Sequence, residues 1–451
     1  MSTLAAPHTG FRQTRPALTE TKPAVASAYR LLVTYALLIP LVFFAARGSF
    51  SIQSMGYNHP QSAAYGLSPD AGQGSVLHSA ELILAYGITA VLAVANFEAV
   101  ANACLNNLLL LALPAWAICS TLWSNDPTRT IAFSVLAMVM TVFGLYLGTR
   151  FTPRQQMQLF LLTGLLTTAA SVLLIAVLPA AGVDYKNSTV GLQGIYPSKN
   201  ICAAVTAGFL TTAFLYKFKG KGGPMKRLAY VVLLIALIIG STARTGWIVT
   251  LLVVGFIALM RFMRSVRPIE RITLAWFLPA LTAVGTWFVY SNQAEIAVAL
   301  GKDPTFSGRT NIWSVMFLAI VERPFLGFGY DAFFIVGSGE LHRLSLAAGD
   351  ASLSNAENGI LQMWLEIGLV GLVILAFILI RSCKHAIQCF RSDTPDYAIW
   401  YMSILFITLL ALVDGDKFMY PNAIEWVMFI MADVGLAREA KRVRTSRSAW
   451  A

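Results

Sequence analysis

Long apolar runs recur along almost the whole chain, and they constrain its fold more than any other feature. Most runs hold roughly 17–23 residues, which is long enough for a helix to cross a hydrocarbon core about 30 Å thick. Short charged or Gly/Pro-rich breaks separate the runs. The pattern predicts an all-α polytopic membrane protein with about twelve transmembrane helices.

Composition supports the same reading. The 451 residues are 57% hydrophobic and only 12% charged, against about 25% charged in an average soluble domain. The third and the seventh to eighth runs have weak boundaries, because the former contains Asn106, Asn107 and Pro114 and the latter two meet at 241–244 with almost no loop. The predicted spans are 29–46, 79–95, 100–122, 130–149, 156–180, 200–216, 228–241, 245–260, 272–290, 359–380, 396–413 and 421–437.

Basic residues are distributed by side of the membrane. With the N-terminus inside, 23 of the 33 Lys and Arg residues flank the inner ends of the predicted spans, and the other ten lie outside. This asymmetry predicts that both termini are cytoplasmic. We expect a disordered cytoplasmic tail at 1–28, a transmembrane domain at 29–437 and a basic cytoplasmic tail at 438–451. The net charge of +11 is thus distributed by side of the membrane, and we expect the lipid bilayer, not nucleic acid, as the partner.

The five cysteines show neither zinc-ligand nor CxxC spacing, and Cys104, Cys119 and Cys202 fall inside apolar runs. We expect no disulfide framework and no metal.

One outer segment is much longer than the others. Residues 291–358, between the ninth and tenth predicted helices, form a long periplasmic loop in this topology. Within it, 309–321 places Ile312, Met316, Phe317 and Ile320 at helical spacing. This spacing predicts a short amphipathic helix at the outer surface.

Three basic residues on the outer side are candidates for binding a phosphate-bearing substrate. An enzyme at this face has no nucleoside triphosphates, so it needs an activated substrate delivered by lipid, such as a polyprenyl-diphosphate-linked glycan. Breaking its anomeric C–O bond releases a diphosphate, whose charge Arg244, Arg309 and Lys199 would stabilise. The alternative for any one of them is an anchor at the lipid headgroups. Arg244 sits in a tight break between two apolar runs, where a charge is costly unless it faces a cavity or partner.

A second candidate group begins where the long loop re-enters the membrane. Glu357 at a membrane rim would act as a general base on a sugar hydroxyl if partial burial raises its pKa. The alternative is that Glu357 and Asn358 cap the incoming helix. Gly368 and Gly371 lie farther along, where small residues permit close helix packing.

Several ordered motifs in this chain resemble those of the O-antigen ligase and polymerase superfamily, and in particular the exopolysaccharide polymerases of Gram-negative bacteria. They span roughly 115–375 and share one side of the predicted topology. The motifs are WSNDP at 123–127, GIYPSKN at 194–200, STARTG at 241–246, SGRTNIW at 307–313, ERPFLGFGYDAFF at 322–334 and ENGILQMWLEIGLVG at 357–371.

The resemblance implies a metal-independent glycosyltransferase of the membrane-embedded C type, without a cofactor, whose long loop covers the site. Arg244 and Arg309 would bind the donor diphosphate with Lys199 as a helper. The resemblance also implies that Pro324, Gly327 and Gly329 shape the loop. Further substrate contacts are expected from Asn200, Asn358, Arg323 and Tyr330.

One position departs from the family pattern. The family motif reads His-Asn, nine residues, then Gly-x-x-Gly, and here Glu357 occupies the histidine position before Asn358, Gly368 and Gly371. In relatives that histidine is thought to activate the acceptor hydroxyl. A glutamate can accept a proton or orient a hydroxyl, so Glu357 is either the catalytic base or a residue that positions the acceptor.

Three functions follow as alternatives. The leading one is a polymerase in a bacterial inner membrane, which moves a glycan from polyprenyl diphosphate to a sugar hydroxyl of another lipid-linked repeat at the periplasmic face. The second is a ligase that moves the finished glycan to a lipid A core or another terminal acceptor. The third is a flippase for the same lipid, which the clustering of charges at outer helix ends disfavours. A polymerase would be expected to work beside chain-length regulators and export proteins.

Overall fold

The computed structural model describes residues 23–48, 50, 76–185, 190–267, 270, 309–334, 355–356, 358–390, 394–414 and 418–448. The predicted ninth span, most of the 291–358 loop and residues 1–22 lie outside the described residues. The helices are α1 Pro23–Ala45, α2 Val76–Ala95, α3 Phe97–Leu105, α4 Leu108–Cys119, α5 Pro127–Arg150, α6 Pro153–Val177, α7 Pro179–Gly182, α8 Lys199–Leu215, α9 Gly223–Gly240, α10 Arg244–Ser265, α11 Arg309–Glu322, α12 Gly359–Cys389, α13 Pro395–Asp414 and α14 Ile424–Ser448. One small antiparallel hairpin pairs β1 Val183–Asp184 with β2 Gly191–Leu192.

The predicted all-α membrane architecture is confirmed. Within the described ranges, six helices are long and apolar enough to cross a membrane, and a bent pair brings the number to seven. The six are α5, α6, α9, α10, α12 and α13. The count of twelve spans stays a prediction.

The predicted third span, 100–122, is wrong as a single helix. The chain bends by 90° between α2 and α3 and breaks again at Asn106–Asn107 before α4 begins. Asn96, Asn106 and Asn107 each donate a side-chain hydrogen bond to the carbonyl four residues earlier. Such local bonds compete with the helical ladder and favour breaks.

Helix α14 forms the centre of the bundle and packs tightly on α5. A Cβ added to Gly144 would lie 2.7 Å from Ile430 Cβ, and one added to Gly148 would lie 2.8 Å from Val434 Cβ. The two backbones therefore approach as closely as small residues allow. Arg438 Nη1 donates to the carbonyl of Gly148 (2.7 Å) at the C-terminal end of α5. The helix continues to Ser448, so the basic residues after 437 extend α14.

Ion pairs at two acids hold α14 to its neighbours: Glu425 in the first turn and Asp433 near the middle. Near the start of α14, Arg47 Nη2 contacts Glu425 Oε1 at 2.9 Å. Farther along, the Asp433 carboxylate has 0% of its side chain exposed and lies 3.2 Å from Arg381 Nη2 on α12. Ser382 Oγ donates to Asp433 Oδ1 at 2.6 Å. These acids explain why the predicted twelfth span is less apolar than the other spans although it is the most enclosed.

We predict that Asp433→Asn destabilises the fold. The substitution leaves the Arg381 guanidinium without its buried counter-charge, which costs about 3–5 kcal/mol when one partner of a buried pair is removed. Thermal unfolding of the purified protein in detergent measures the loss. Glu98→Gln, at an exposed position of α3, is the matched control and should change stability by no more than about 1 kcal/mol. Equal unfolding temperatures for Asp433→Asn and the control would contradict the prediction.

The predicted helix in the long loop exists as α11, but one residue faces the other way. Ile312, Met316 and Ile320 are buried as expected, whereas Phe317 is exposed. The buried stripe packs on Leu361 and on other buried apolar residues around the start of α12. Phe317 instead lies on a second apolar stripe, which is exposed, as expected of a helix in contact with lipid.

Candidate active site

The motif GIYPSKN leads from the β-hairpin into α8. The Ser198 backbone is extended, and its side chain accepts a hydrogen bond from Ile201 N (3.3 Å), so it caps the helix. Lys199 is the first residue of α8 and is only 5% exposed. Asn200, the next residue, is exposed. Because Ser198 caps the helix, Lys199 lies at the N-terminal end of α8, which is the positive end of the helix dipole.

The motif STARTG forms the sharp break between α9 and α10. Ser241 and Thr242 end α9, and Thr242 has a positive φ of 54°. The Thr242 hydroxyl donates to the Val190 carbonyl (2.9 Å), which ties the break to the chain just before β2. Arg244 then opens α10 with an exposed side chain. The tight connection expected from the sequence is confirmed.

The starts of α8 and α10 lie side by side. A Cβ added to Gly246 would overlap Ala203 Cβ, so the two backbones approach closely there. Lys199 is one turn before Ala203, and Arg244 is two residues before Gly246. Both helices begin at the same end of the bundle. Two helix N-termini, each opening with a basic residue, thus lie side by side, which is an arrangement suited to an anion.

A second pair of helix starts is formed by α11 and α12. Trp313 Nε1 on the second turn of α11 donates to the Ala356 carbonyl (3.1 Å), just before α12 begins. The contact places the start of α11, where Arg309 is the first residue, against the segment that carries Asn358. The Arg309 side chain and Glu357 lie outside the described part of the chain.

Asn358 caps α12, which was one of the two alternatives that the sequence left open for this segment. Its side-chain oxygen accepts hydrogen bonds from the backbone N–H groups of Ile360 (3.0 Å) and Leu361 (3.1 Å). This use of Oδ1 leaves the side-chain amide N–H groups for a substrate.

The loop after α11 crosses a sharp kink in α12. Gly368 has φ 68° inside the helix, and the backbone N–H groups freed by the kink donate to the loop: Leu369 N to Pro324 O (2.9 Å) and Val370 N to Phe325 O (3.3 Å). In the other direction, Phe328 N donates to Leu365 O (2.8 Å). The interpretation of Gly368 as a helix-packing glycine is therefore wrong, because its backbone conformation makes it the kink residue.

Gly327 and Gly329 shape this loop, as the resemblance implied. Both have positive φ, 71° and 103°. A Cβ on Gly327 would lie 2.7 Å from the carbonyl carbon of Glu366, and one on Gly329 would overlap Ser124. Only glycine combines this backbone conformation with such close approach.

The motif WSNDP packs on the same loop, a long-range association with no signal in the sequence. Trp123 Nε1 donates to Leu326 O (2.9 Å), and Asn125 N donates to Phe328 O (3.0 Å). Arg129, just after the motif, forms an ion pair with Asp331 (2.7 Å). WSNDP therefore anchors the loop, and Arg129 and Asp331 are site-supporting residues that the sequence analysis missed.

Two residues predicted to bind substrate take part in this packing. Tyr330 is fully buried and its hydroxyl donates to the Met419 carbonyl. Burial raises the pKa of Tyr330 well above 10.0, and nearby Glu366 adds to the rise, so its hydroxyl stays protonated. The prediction that Tyr330 contacts substrate is wrong on this geometry. Arg323 Nη1 donates to Asn125 Oδ1 (3.2 Å) and its guanidinium lies over the Phe328 ring, although the side chain remains exposed.

Comparisons with known proteins agree with the motifs. Residues 229–376 match a family model described as O-Antigen ligase. Over 327 residues the chain is 25% identical to the "Exopolysaccharide production protein ExoQ" of Rhizobium meliloti (strain 1021), an alignment covering 69% of this chain and 72% of that protein. These matches support the resemblance to the O-antigen ligase and polymerase superfamily. The range that the family model matches contains Arg244, Arg309, Glu357 and Asn358.

One solved structure overlaps most of the chain. It is titled "Structural coordination of polymerization and crosslinking by a peptidoglycan synthase complex", covers 74% of this chain and 96% of its own, and has 15% identity and a TM-score of 0.36. A score this low carries no argument about fold or function.

Proposed function

We propose that this protein is a glycan polymerase of a bacterial inner membrane, with a polyprenyl-diphosphate-linked glycan as donor and a sugar hydroxyl of another lipid-linked repeat as acceptor. The observation that carries the proposal is the convergence of the α8 and α10 starts, with Lys199 and Arg244 at their first positions. A diphosphate is the anionic group that a polymerase donor would present there.

The donor diphosphate would occupy this anion site. Arg244 supplies a planar fork of N–H donors that matches two phosphate oxygens, and Lys199 supplies a compact charge. Lys199 is nearly buried, so its charge acts in a less polar medium than bulk water and is correspondingly stronger. Arg309 would reach the same group from the start of α11.

The reaction is a single displacement in this proposal. The acceptor hydroxyl oxygen bonds to the anomeric carbon of the donor sugar while the bond from that carbon to the diphosphate oxygen breaks. Glu357 takes the hydroxyl proton, and polyprenyl diphosphate leaves with the electron pair. Lys199, Arg244 and Arg309 stabilise the charge that grows on the leaving group. Asn358 would hold the acceptor through its free amide N–H groups.

The names of the relative and of the family support two related outcomes. The relative from Rhizobium meliloti is named for exopolysaccharide production, which favours a polymerase. The family model is described as O-Antigen ligase, which favours transfer of the finished glycan to a terminal acceptor. The two activities share the donor site and differ in the acceptor.

Purified protein incubated with a lipid-linked repeat, in detergent and without an energy source, tests the proposal. Longer lipid-linked glycans are the expected product. A flippase would leave the repeat unchanged and would contradict the proposal. In a deletion strain, accumulation of single lipid-linked repeats would support a polymerase, whereas accumulation of finished polymer on lipid would identify a ligase.

We predict that Glu357→Gln nearly abolishes transfer and that Glu357→His retains part of it. Glutamine preserves size and hydrogen bonding but removes the base, while histidine restores the residue of the family motif. A base also predicts that the wild-type rate falls at acidic pH as the carboxylate protonates. Initial rates across pH measure both effects. Wild-type turnover in Glu357→Gln would show that this residue only positions the acceptor.

The proposed orientation places the 291–358 loop in the periplasm and both termini in the cytoplasm. We predict that a reporter fused after Asn292 and one fused at the C-terminus respond as residents of opposite compartments, because of the 23-to-10 asymmetry of basic residues. A phosphatase reporter and a fluorescent reporter at each point measure this. The same response at both points would contradict the orientation.

A further inference from the structure

Two adjoining cavities lie at the end of the bundle opposite Lys199 and Arg244. Helix α8 runs from Lys199 to Leu215, so its two ends are about 25 Å apart. At the far end, Tyr216 and Lys217 line both cavities. Gln158 Nε2 donates to the Tyr216 hydroxyl (2.9 Å) and fixes this shared wall.

The larger cavity is an apolar groove of about 490 Å³ with charge at its rim. Its wall is formed by Phe214, Phe218, Pro224, Leu228 and Val231. Two basic residues, Lys217 and Arg227, also line the groove. Arg227 Nη2 donates to the Phe214 carbonyl (2.6 Å), which leaves its other N–H groups for a ligand.

The smaller cavity, of about 230 Å³, is more polar and carries Arg154, Lys217 and Asp396. Asp396 lies 2.8 Å from Lys217 Nζ and 3.6 Å from Arg261 Nη2, so its negative charge is compensated. Within the described ranges, the Arg154 guanidinium has no hydrogen bond or ion pair. The first turns of α6 and α13 also lie here, and helix N-termini favour anions.

We propose that these two cavities bind one anionic phospholipid of the adjacent leaflet. An acyl chain lies in the apolar groove, and the phosphate sits at the shared wall between Arg154, Lys217 and Arg227. An amphiphile is favoured because the apolar groove and the polar cavity adjoin along a common wall, as the chain and headgroup of a lipid do. The positive-inside pattern alone accounts for basic residues in the 217–227 loop, but not for a groove that two of them, Lys217 and Arg227, border.

The proposal does not rest on the glycan-transfer reaction, so its test measures binding alone. The full chain is purified in a neutral detergent and titrated with dioctanoyl phosphatidylglycerol, dioctanoyl phosphatidylcholine and inorganic phosphate, with native mass spectrometry as the readout. Phosphatidylglycerol should bind at least about fivefold more tightly than phosphatidylcholine, the factor expected for one basic residue near a lipid phosphate. Inorganic phosphate at the same concentration should not displace it. Equal binding of the two lipids, or displacement by phosphate, would overturn the proposal.

Two variants test the contact with the lipid headgroup and the contact with the acyl chain separately. Arg154→Ala should weaken phosphatidylglycerol binding about fivefold and leave phosphatidylcholine unchanged. Val231→Trp fills the groove and should weaken both lipids. Lys219→Ala, in the same basic loop but outside both cavity walls, is the matched control and should bind as wild type. Wild-type affinity in both Arg154→Ala and Val231→Trp would refute the site, as would an equal loss in Lys219→Ala.

Discussion

Arg244→Ala is expected to lower the rate of glycan transfer about 100-fold while the protein still folds. A charged hydrogen bond is worth about 1.5–3 kcal/mol, and removing one donor to a developing negative charge costs 10²–10³ in rate in known enzymes, roughly. Folding should survive because the Arg244 side chain is exposed at the first position of α10. The rate with saturating donor, measured beside the unfolding temperature, tests both parts.

Arg244→Lys separates a specific contact from simple charge. Lysine keeps the positive charge at the helix start but lacks the planar fork that contacts two phosphate oxygens, so little activity should return. Arg309→Ala should match Arg244→Ala if both bind the diphosphate. Lys226→Ala, an exposed basic residue near the other end of α9, controls for the loss of one charge. Full activity in Arg244→Lys would show that no bidentate contact is needed.

The membrane fold was predictable because apolar runs report directly on burial in lipid. The starts of α8, α10 and α12 fell within one residue of the sequence boundaries, and side-chain caps at Ser198 and Asn358 mark two of these starts. Helix breaks inside the apolar runs were harder to predict from the sequence. Asn106 and Asn107 were visible as polar residues, but only their side-chain bonds to the preceding turn show that they end α3.

The candidate residues were named from the sequence, but the spatial pairing of two of them was not. Lys199 and Arg244 are 45 positions apart in the sequence, and their proximity depends on the Gly246–Ala203 contact. Tyr330 shows the converse, because a tyrosine inside a family motif looked like a substrate contact and is a buried packing residue. Sequence order predicts which motifs share one end of the bundle, but packing decides which of their side chains are buried and which are exposed.

Gly368→Ala is expected to destabilise the protein by at least about 3 kcal/mol, since backbone strain at a positive φ alone costs roughly 1–3 kcal/mol and a steric clash adds to it. The φ of 68° disfavours any side chain, and a Cβ at this position would overlap the Phe325 carbonyl. Relaxing the kink would break the hydrogen bonds from Leu369 and Val370 to the loop. It would also break the bond from Trp116 Nε1 to the Ile367 carbonyl (2.9 Å).

Activity should fall with stability in this variant, because the loop at 323–329 connects the kink to α11 and therefore positions Arg309. Gly255→Ala is the matched control: Gly255 lies in α10, and a Cβ there meets no atom within 4 Å. Its substitution should be neutral or stabilising by up to about 1 kcal/mol, the difference in helix propensity between glycine and alanine. Unfolding temperature and transfer rate, measured for both variants in the same detergent, distinguish a required kink from an incidental one. A Gly368→Ala protein that unfolds and reacts like Gly255→Ala would show that α12 functions as a straight helix.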